Sequence, residues 1–391
     1  MDGNSVADFT GESLKSSFAR QRTCLLIWGE GGSGKTSLAC QVARWVMSED
    51  AHQRPCKYRM LPVLIEQDLR GETFLEAVRG QLQDLVDEPE PIPVELLEQL
   101  LRHRRILVIV DHFSEMNETT RGQIRPELSE FPANALVVTS RIEALHQVDR
   151  TTIKPCRIEE FTALSWFMES YLMHREKRDL YSQSEFFYAC GRFSAMVGAR
   201  GLTVLLAKLY AEHMIAIKEN ADASEPRNVP ELMLSYLNEL NVNVAKNKLD
   251  DRTVHRDAKV VAWECLRRTF RPTSARLADT LTALGEENAQ SRLEYMEDRL
   301  RLIQTIQPSQ DQIRFLLDPL AEYLAAMHVV ESHDGIEPRW RDFIDQANSK
   351  ARGTGTIASF LLAVQDCCLS KGKETSIPPF VYQDLAEAQQ G

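Results

Sequence analysis

At 391 residues the chain is too long for one ordinary domain, and length alone suggests roughly two to four. Its 43% hydrophobic content is ample for real cores and excludes a disordered protein, while a net charge of −11 argues against a wholesale nucleic-acid binder. No apolar stretch approaches the ~18 residues that would span a bilayer, so no membrane partner is expected. The start, Met1-Asp2-Gly3-Asn4-Ser5, lacks the basic and apolar regions of a secretory signal. The eight cysteines are scattered, form no C-x-x-C and have no histidine pair at zinc-finger spacing. Several fall inside apolar runs, as buried reduced thiols do, which fits a cytoplasmic location.

The first apolar run, Thr23–Trp28, reads as a buried strand. It leads into Gly29-Glu30-Gly31-Gly32-Ser33-Gly34-Lys35-Thr36, a complete G-x-x-x-x-G-K-[ST] phosphate-binding loop. Leu38, Ala39, Val42 and Val46 then recur at helical spacing. Each residue type answers to the chemistry. Gly29, Gly31, Gly32 and Gly34 are expected to take φ > 0 and turn successive N–H groups onto phosphate oxygens. The following helix aims its positive end at the same oxygens. Lys35 supplies a cation for the β and γ phosphates, and the Thr36 hydroxyl suits Mg2+, which keeps most of its waters. With Ser33 and Ser37 completing the set, the chain is expected to bind a nucleoside triphosphate.

Further strands are expected at 61–65, 106–110, 135–139 and, weakly, 151–154. Between the first two, Phe74, Leu75, Val78, Leu82 and Leu85 form a helical stripe over 73–86. Glu88-Pro89-Glu90-Pro91-Ile92-Pro93 breaks it, and Leu96, Leu97, Leu100 and Leu101 mark a second helix. Alternating strands and helices give an α/β fold for residues 1–155, a P-loop NTPase parallel sheet with helices on both faces. Ile106-Leu107-Val108-Ile109-Val110 delivers Asp111 at a strand end, a Walker B element placed to hold hydrated Mg2+. A helix cap is the alternative for Asp111. Glu115, just beyond, can orient or deprotonate the water that attacks the γ-phosphate, or is a solvated loop acid. The strand at 135–139 ends in Thr139-Ser140-Arg141, and an arginine there matches γ-phosphate oxygens, the alternative being a surface side chain in a turn. Glu66 and Asp68 face the same sheet end, with capping of the next helix the favoured role. No Asn-Lys-x-Asp stands in a suitable place, so ATP is favoured over GTP.

After Pro155 the periodicity becomes helical. Residues 156–250 read as a helical domain, opened by Phe161, Leu164, Phe167 and Leu172 and interrupted by a polar link at 220–228. Residues 251–335 combine helices with a hairpin, Leu302-Ile303-Gln304-Thr305 and Ile313-Arg314-Phe315-Leu316 around Pro308-Ser309-Gln310-Asp311, which suggests a winged helix. Residues 336–391 are expected to hold two helices and a frayed end. Arg267, Arg268 and Arg271 invite a DNA reading, but residues 251–304 carry nearly as many acids as bases, so nucleic acid is not an expected partner. His52, His103, His146, His174 and His213 have no partners at ligand spacing and are read as solvated or packed.

Taken together the motifs resemble those of the STAND class of signalling ATPases and, within it, the NACHT family. The likeness rests on the loop at 29–36, on Asp111 to Glu115 as an extended Walker B, and on Thr139-Ser140-Arg141 as a first sensor. It rests also on Arg314-Phe315-Leu316-Leu317-Asp318-Pro319-Leu320-Ala321-Glu322-Tyr323-Leu324-Ala325-Ala326, similar to the helix that closes a winged-helix domain. Phe9-Thr10-Gly11-Glu12 is a weaker match to part of the adenine pocket. The resemblance covers about residues 8–330 and implies a molecular switch that clamps ADP in a closed state. Exchange to ATP then opens it for self-association, and Mg-dependent hydrolysis acts as a slow timer. Three positions depart from the pattern. His112 replaces a small residue, Ser114 replaces the first of two adjacent acids, and Leu317 replaces a histidine that contacts the diphosphate. Gly201-Leu202-Thr203 is the nearest match to the usual Gly-x-Pro and lacks its proline. With only 28 residues before the loop and a short tail, effector and sensor functions are expected in other domains or partner proteins. The competing function is a constitutive ATPase remodelling enzyme working as an oligomer; the extended Walker B and sensor argue against a kinase.

Overall fold

The structure, a computed structural model, describes residues 9–69, 71–86, 91–198, 202–219, 225–242, 244, 248–285, 288–306, 311–351, 357–371 and 377–388. Residues 88–90 of the expected break at 88–93, most of the link at 220–228, Gly201 and residues 308–310 of the expected turn at 308–311 lie outside these residues. The chain forms two compact units, Met1–Cys156 and Arg157–Gly391.

In chain order the first unit contains α1 (Lys15–Phe18), β1 (Thr23–Trp28), α2 (Lys35–Met47), β2 (Leu61–Ile65), α3 (Phe74–Val86) and α4 (Val94–Arg102). It continues through β3 (Ile106–Val110), α5 (Glu118–Gln123), β4 (Ala135–Ser140) and β5 (Thr151–Ile153). The five strands are all parallel, in the order β2-β3-β4-β1-β5. The three central strands are the continuous apolar runs, buried along almost their whole length, as strands covered on both faces must be. At one edge β2 alternates, with Leu61 and Leu64 exposed. Side-chain alternation divides the core. Leu26, Val108, Val110, Leu136 and Val138 face Phe74, Val78 and Leu82 of α3 and Leu97 and Leu101 of α4. On the other face, Leu25, Ile27, Leu107, Ile109 and Val137 meet Ala39, Val42 and Val46 of α2 and Phe18 of α1.

The second unit holds α6 (Phe161–His174), α7 (Gln183–Val197), α8 (Val204–Glu219), α9 (Val229–Val242), α10 (Asp251–Leu266), β6 (Ala275–Arg276), α11 (Leu277–Leu284) and α12 (Ala289–Glu294). After these come β7 (Ile303–Thr305), β8 (Gln312–Phe315), α13 (Asp318–His333), α14 (Glu337–Ala351), α15 (Ala358–Lys371) and α16 (Phe380–Ala388). Helix α13 is buried on almost every side between Pro319 and Val330 and packs against α10 and α15. The expected antiparallel pairing of β7 with β8 is present, joined by β6 in the order β6-β8-β7. Arg314 and Phe315 belong to β8, so the helix read from Arg314 begins only at Asp318.

Where two helices are expected after 336, three are present among the described residues. Helix α14 is strongly polar, and one stripe of Trp340, Phe343, Ile344 and Ala347 carries all its burial. Helix α7 opens with a capping box in which the Ser182 hydroxyl accepts the Glu185 amide and Glu185 accepts the Ser182 amide. Ser182→Ala is expected to lower stability by about 1 kcal/mol, measurable as a shifted urea midpoint with an unchanged slope. All eight cysteines are free thiols. Burial pushes Cys24, Cys265 and Cys368 up to about 12, which keeps them protonated and unreactive.

Candidate functional site

The strand order decides which residues meet. Because β4 lies between β1 and β3, the carboxyl ends of these three strands adjoin, and the segments that follow them converge. The loop after β1 is tied to β4 where the Gly29 amide donates to the Ser140 carbonyl at 3.1 Å. Gly32 and Gly34 adopt the left-handed conformation, with φ of 73° and 90°. Gly31 does not, which corrects the expectation that it turns through positive φ, and Gly29 at 158° is nearly extended.

Helix α2 makes its first intrahelical bond from Leu38 N to the Gly34 carbonyl at 2.9 Å. Its first-turn amides, through Ser37, therefore have no acceptor within the helix and face the loop, a ready site for anions. The Glu30 carbonyl organises the loop by accepting from Lys35 Nζ at 2.7 Å and from the Ser33 hydroxyl at 2.9 Å.

Asp111 is the hub. Its side chain is only 2% exposed. Thr36 of α2 donates its hydroxyl to Oδ2 at 2.9 Å, and the Thr139 hydroxyl of β4 donates to Oδ1. Thr139 in turn accepts the His112 amide at 3.0 Å. One carboxylate thus joins the tips of β3 and β4 to the start of α2. Thr36 and Asp111 offer a hydroxyl and a carboxylate, hard oxygens that fit Mg2+. Among the described residues no group of three His, Cys, Asp or Glu side chains could cage a metal by itself. Mg2+ does not need one, because it binds through one or two protein oxygens, waters and substrate phosphates.

The positions that depart from the family pattern acquire physical roles. His112 is left-handed, at φ 58°, which accounts for a small residue being preferred there; histidine is among the side chains that enter this region most readily. Its Nδ1 lies 3.3 Å from Asp111 Oδ2 without hydrogen-bond geometry. The Ser114 hydroxyl accepts the Arg141 amide at 3.0 Å and so lashes the turn after β3 to the end of β4. Arg141 Nε donates to Glu115 Oε1 at 2.9 Å, which places the candidate base and the candidate phosphate sensor in contact.

Other expectations are redistributed. Asp68 does not cap α3; Thr73 does, its hydroxyl accepting the Glu76 amide at 3.2 Å. Asp68 instead accepts the Asn117 amide at 2.7 Å at the start of α5, while Glu66 is exposed. Phe9 lies against Trp45 with ring centroids 5.5 Å apart, and a Cβ on Gly11 would come within 1.8 Å of the Gln53 carbonyl. Leu317 packs against the apolar core of the second unit. Arg267 pairs with Glu264 and Asp279, and Arg268 with Asp279. Thr139 is the residue whose role composition could not reveal. Its hydroxyl matters only because β4 adjoins β3, and chain order does not disclose that adjacency.

Residues 22–174 match the NACHT domain family, and residues 353–389 match NACHT C-terminal Helical domain 4. No curated protein sequence matches the chain. Among solved structures it is similar to Cdc6p from Pyrobaculum aerophilum, at 15% identity over 83% of this chain and 95% of that one, with a TM-score of 0.35. It is likewise similar to a RuvB variant from Thermotoga maritima, at 13% identity over 78% of this chain and 89% of that one, with a TM-score of 0.34. No helix among the described residues is long and apolar enough to cross a membrane. Residues 22–174 are thus a nucleotide-binding P-loop NTPase domain of the NACHT type.

Proposed function

We propose that the chain is an ATP/ADP-binding signalling switch of the STAND type, in which slow, Mg-dependent ATP hydrolysis controls opening and self-association. The observation that carries this reading is the contact of Asp111 with Thr36 and Thr139, beside the Arg141–Glu115 pair. The gathering of these side chains at one sheet end supports a site for a metal–triphosphate. In this reading Gly29, Gly31, Gly32, Ser33, Gly34, Lys35, Thr36 and Ser37 bind the phosphates, and Thr36 and Asp111 hold Mg2+. Arg141 meets the γ-phosphate, and Glu115 orients the attacking water. Residues 156–250 act as the helical domain and 251–335 as the winged helix, and the nucleotide biases their arrangement through its different affinity for the two states.

The test is to denature purified protein and chromatograph what it releases. Bound ADP with turnover far below one per second supports the switch. Empty protein with rapid turnover favours the constitutive ATPase and sinks the proposal. Glu115→Gln should still bind ATP while hydrolysis falls by about 100-fold or more, read as phosphate release in a single turnover. Normal hydrolysis in that variant would remove Glu115 from the role of base.

A further inference from the structure

We infer that Glu115, by holding Arg141, sets how strongly the site prefers a nucleoside triphosphate over a diphosphate. This rests on the switch reading above and deepens it, since it names the residue that weighs the third phosphate.

The geometry separates what is fixed in Arg141 from what can move. Its backbone is pinned, because its amide donates to the Ser114 hydroxyl at 3.0 Å and the neighbouring Ser140 hydroxyl donates to the Ile142 carbonyl at 2.6 Å. Its guanidinium is held by the residue next to Ser114, through Nε to Glu115 Oε1 at 2.9 Å. The two side chains are well shielded, 11% exposed for Arg141 and 24% for Glu115, so the pair is screened less than a surface bridge. One short turn, Phe113–Glu115, therefore grips both ends of the arginine.

A guanidinium fork binds carboxylate and phosphate with the same geometry, so Glu115 and a γ-phosphate are rival anions for one cation. A triphosphate must draw Arg141 from Glu115 or share it against the charge of the carboxylate. A diphosphate has no third phosphate to make that demand. Glu115 consequently weakens triphosphate binding and leaves diphosphate binding alone, tilting the resting protein toward the diphosphate. Once the γ-phosphate has taken Arg141, the Glu115 carboxylate is released to act on water. Ser114 contributes by keeping the arginine in place while its side chain changes partner, a use for the serine that an acid is not needed to fill.

The test is calorimetric titration of the full chain, with Mg2+ present, by ADP and by a non-hydrolysable ATP analogue. The proteins are wild type, Glu115→Gln, Arg141→Ala and the double variant. Glu115→Gln should tighten the triphosphate analogue about fivefold, the scale of one shielded ion pair, with ADP affinity unchanged. The unchanged ADP affinity also shows that the variant is folded. In the Arg141→Ala background the same substitution should change triphosphate affinity less than about twofold, because Glu115 acts through Arg141. An unaltered ATP/ADP ratio in Glu115→Gln, or an equal gain without Arg141, overturns the inference while the switch reading stands. Wild-type protein that binds neither nucleotide overturns both.

Discussion

Lys35→Ala is expected to abolish nucleotide binding, with affinity falling at least about 100-fold, since a charge-assisted contact to phosphate oxygens is lost where no other lysine of the loop can replace it. The fold should survive. In the structure Lys35 Nζ donates to the Glu30 carbonyl at 2.7 Å, a bond within the loop rather than to the sheet core. The apolar faces of α2 turn on Ala39, Val42 and Val46, which the substitution leaves alone. The measurement is a fluorescent-nucleotide titration paired with a thermal melt of the ligand-free protein. Retained binding at an unchanged melting temperature would show that the phosphates are held elsewhere.

The largest stability effect is expected in the second unit, at Asp257→Ala. Asp257 of α10 receives Arg292 Nη1 of α12 at 2.9 and 3.0 Å on its two oxygens, and Arg292 Nη2 reaches the Leu284 carbonyl at 2.8 Å. The side chains are 3% and 12% exposed, so removing the acid strands a shielded guanidinium. Such a break costs about 3–5 kcal/mol, far more than the intact pair contributes. For a unit of this size the melting temperature should fall by about 10 °C. Replacing both partners with apolar residues of similar volume should recover much of the loss, whereas Asp257→Ala with an unchanged melt would show that water reaches the arginine.

How much of this was legible in the sequence depended on the range of the physics involved. The central strands were, because burial on both faces leaves a continuous apolar run that needs no knowledge of neighbours. The phosphate loop was, since its glycines and lysine are consecutive. Their conformations were not: Gly31 and Gly32 are the same residue type, yet only Gly32 is left-handed. Contacts between segments were beyond reach. The order β2-β3-β4-β1-β5 follows from pairing energies across the sheet, and without it neither the Thr139–Asp111 bond nor the Arg141–Glu115 pair can be inferred. Asp68 shows the same limit in reverse. Local reasoning assigned it to the nearest helix, whereas it serves α5, 49 residues on. Short or polar elements hid for another reason. Two residues of β6 carry no periodicity, and α14 is helical on the strength of one stripe in a polar sequence.

The ladder of β4 imposes a rule of parity on this chain. Ser140 stands beside Trp28 and Val138 beside Val110, so β4 ends level with β1 and two residues beyond β3. Successive side chains of a strand point to opposite faces, and a slip by one residue exchanges them all. Deleting a single residue between Ala135 and Thr139 would turn the Thr139 hydroxyl away from Asp111 and bury the wrong face of the strand. Apolar side chains along β4 can be exchanged for others of similar volume at modest cost. Their number cannot change by one, so drift in this strand is confined to substitution and closed to single-residue insertion or deletion.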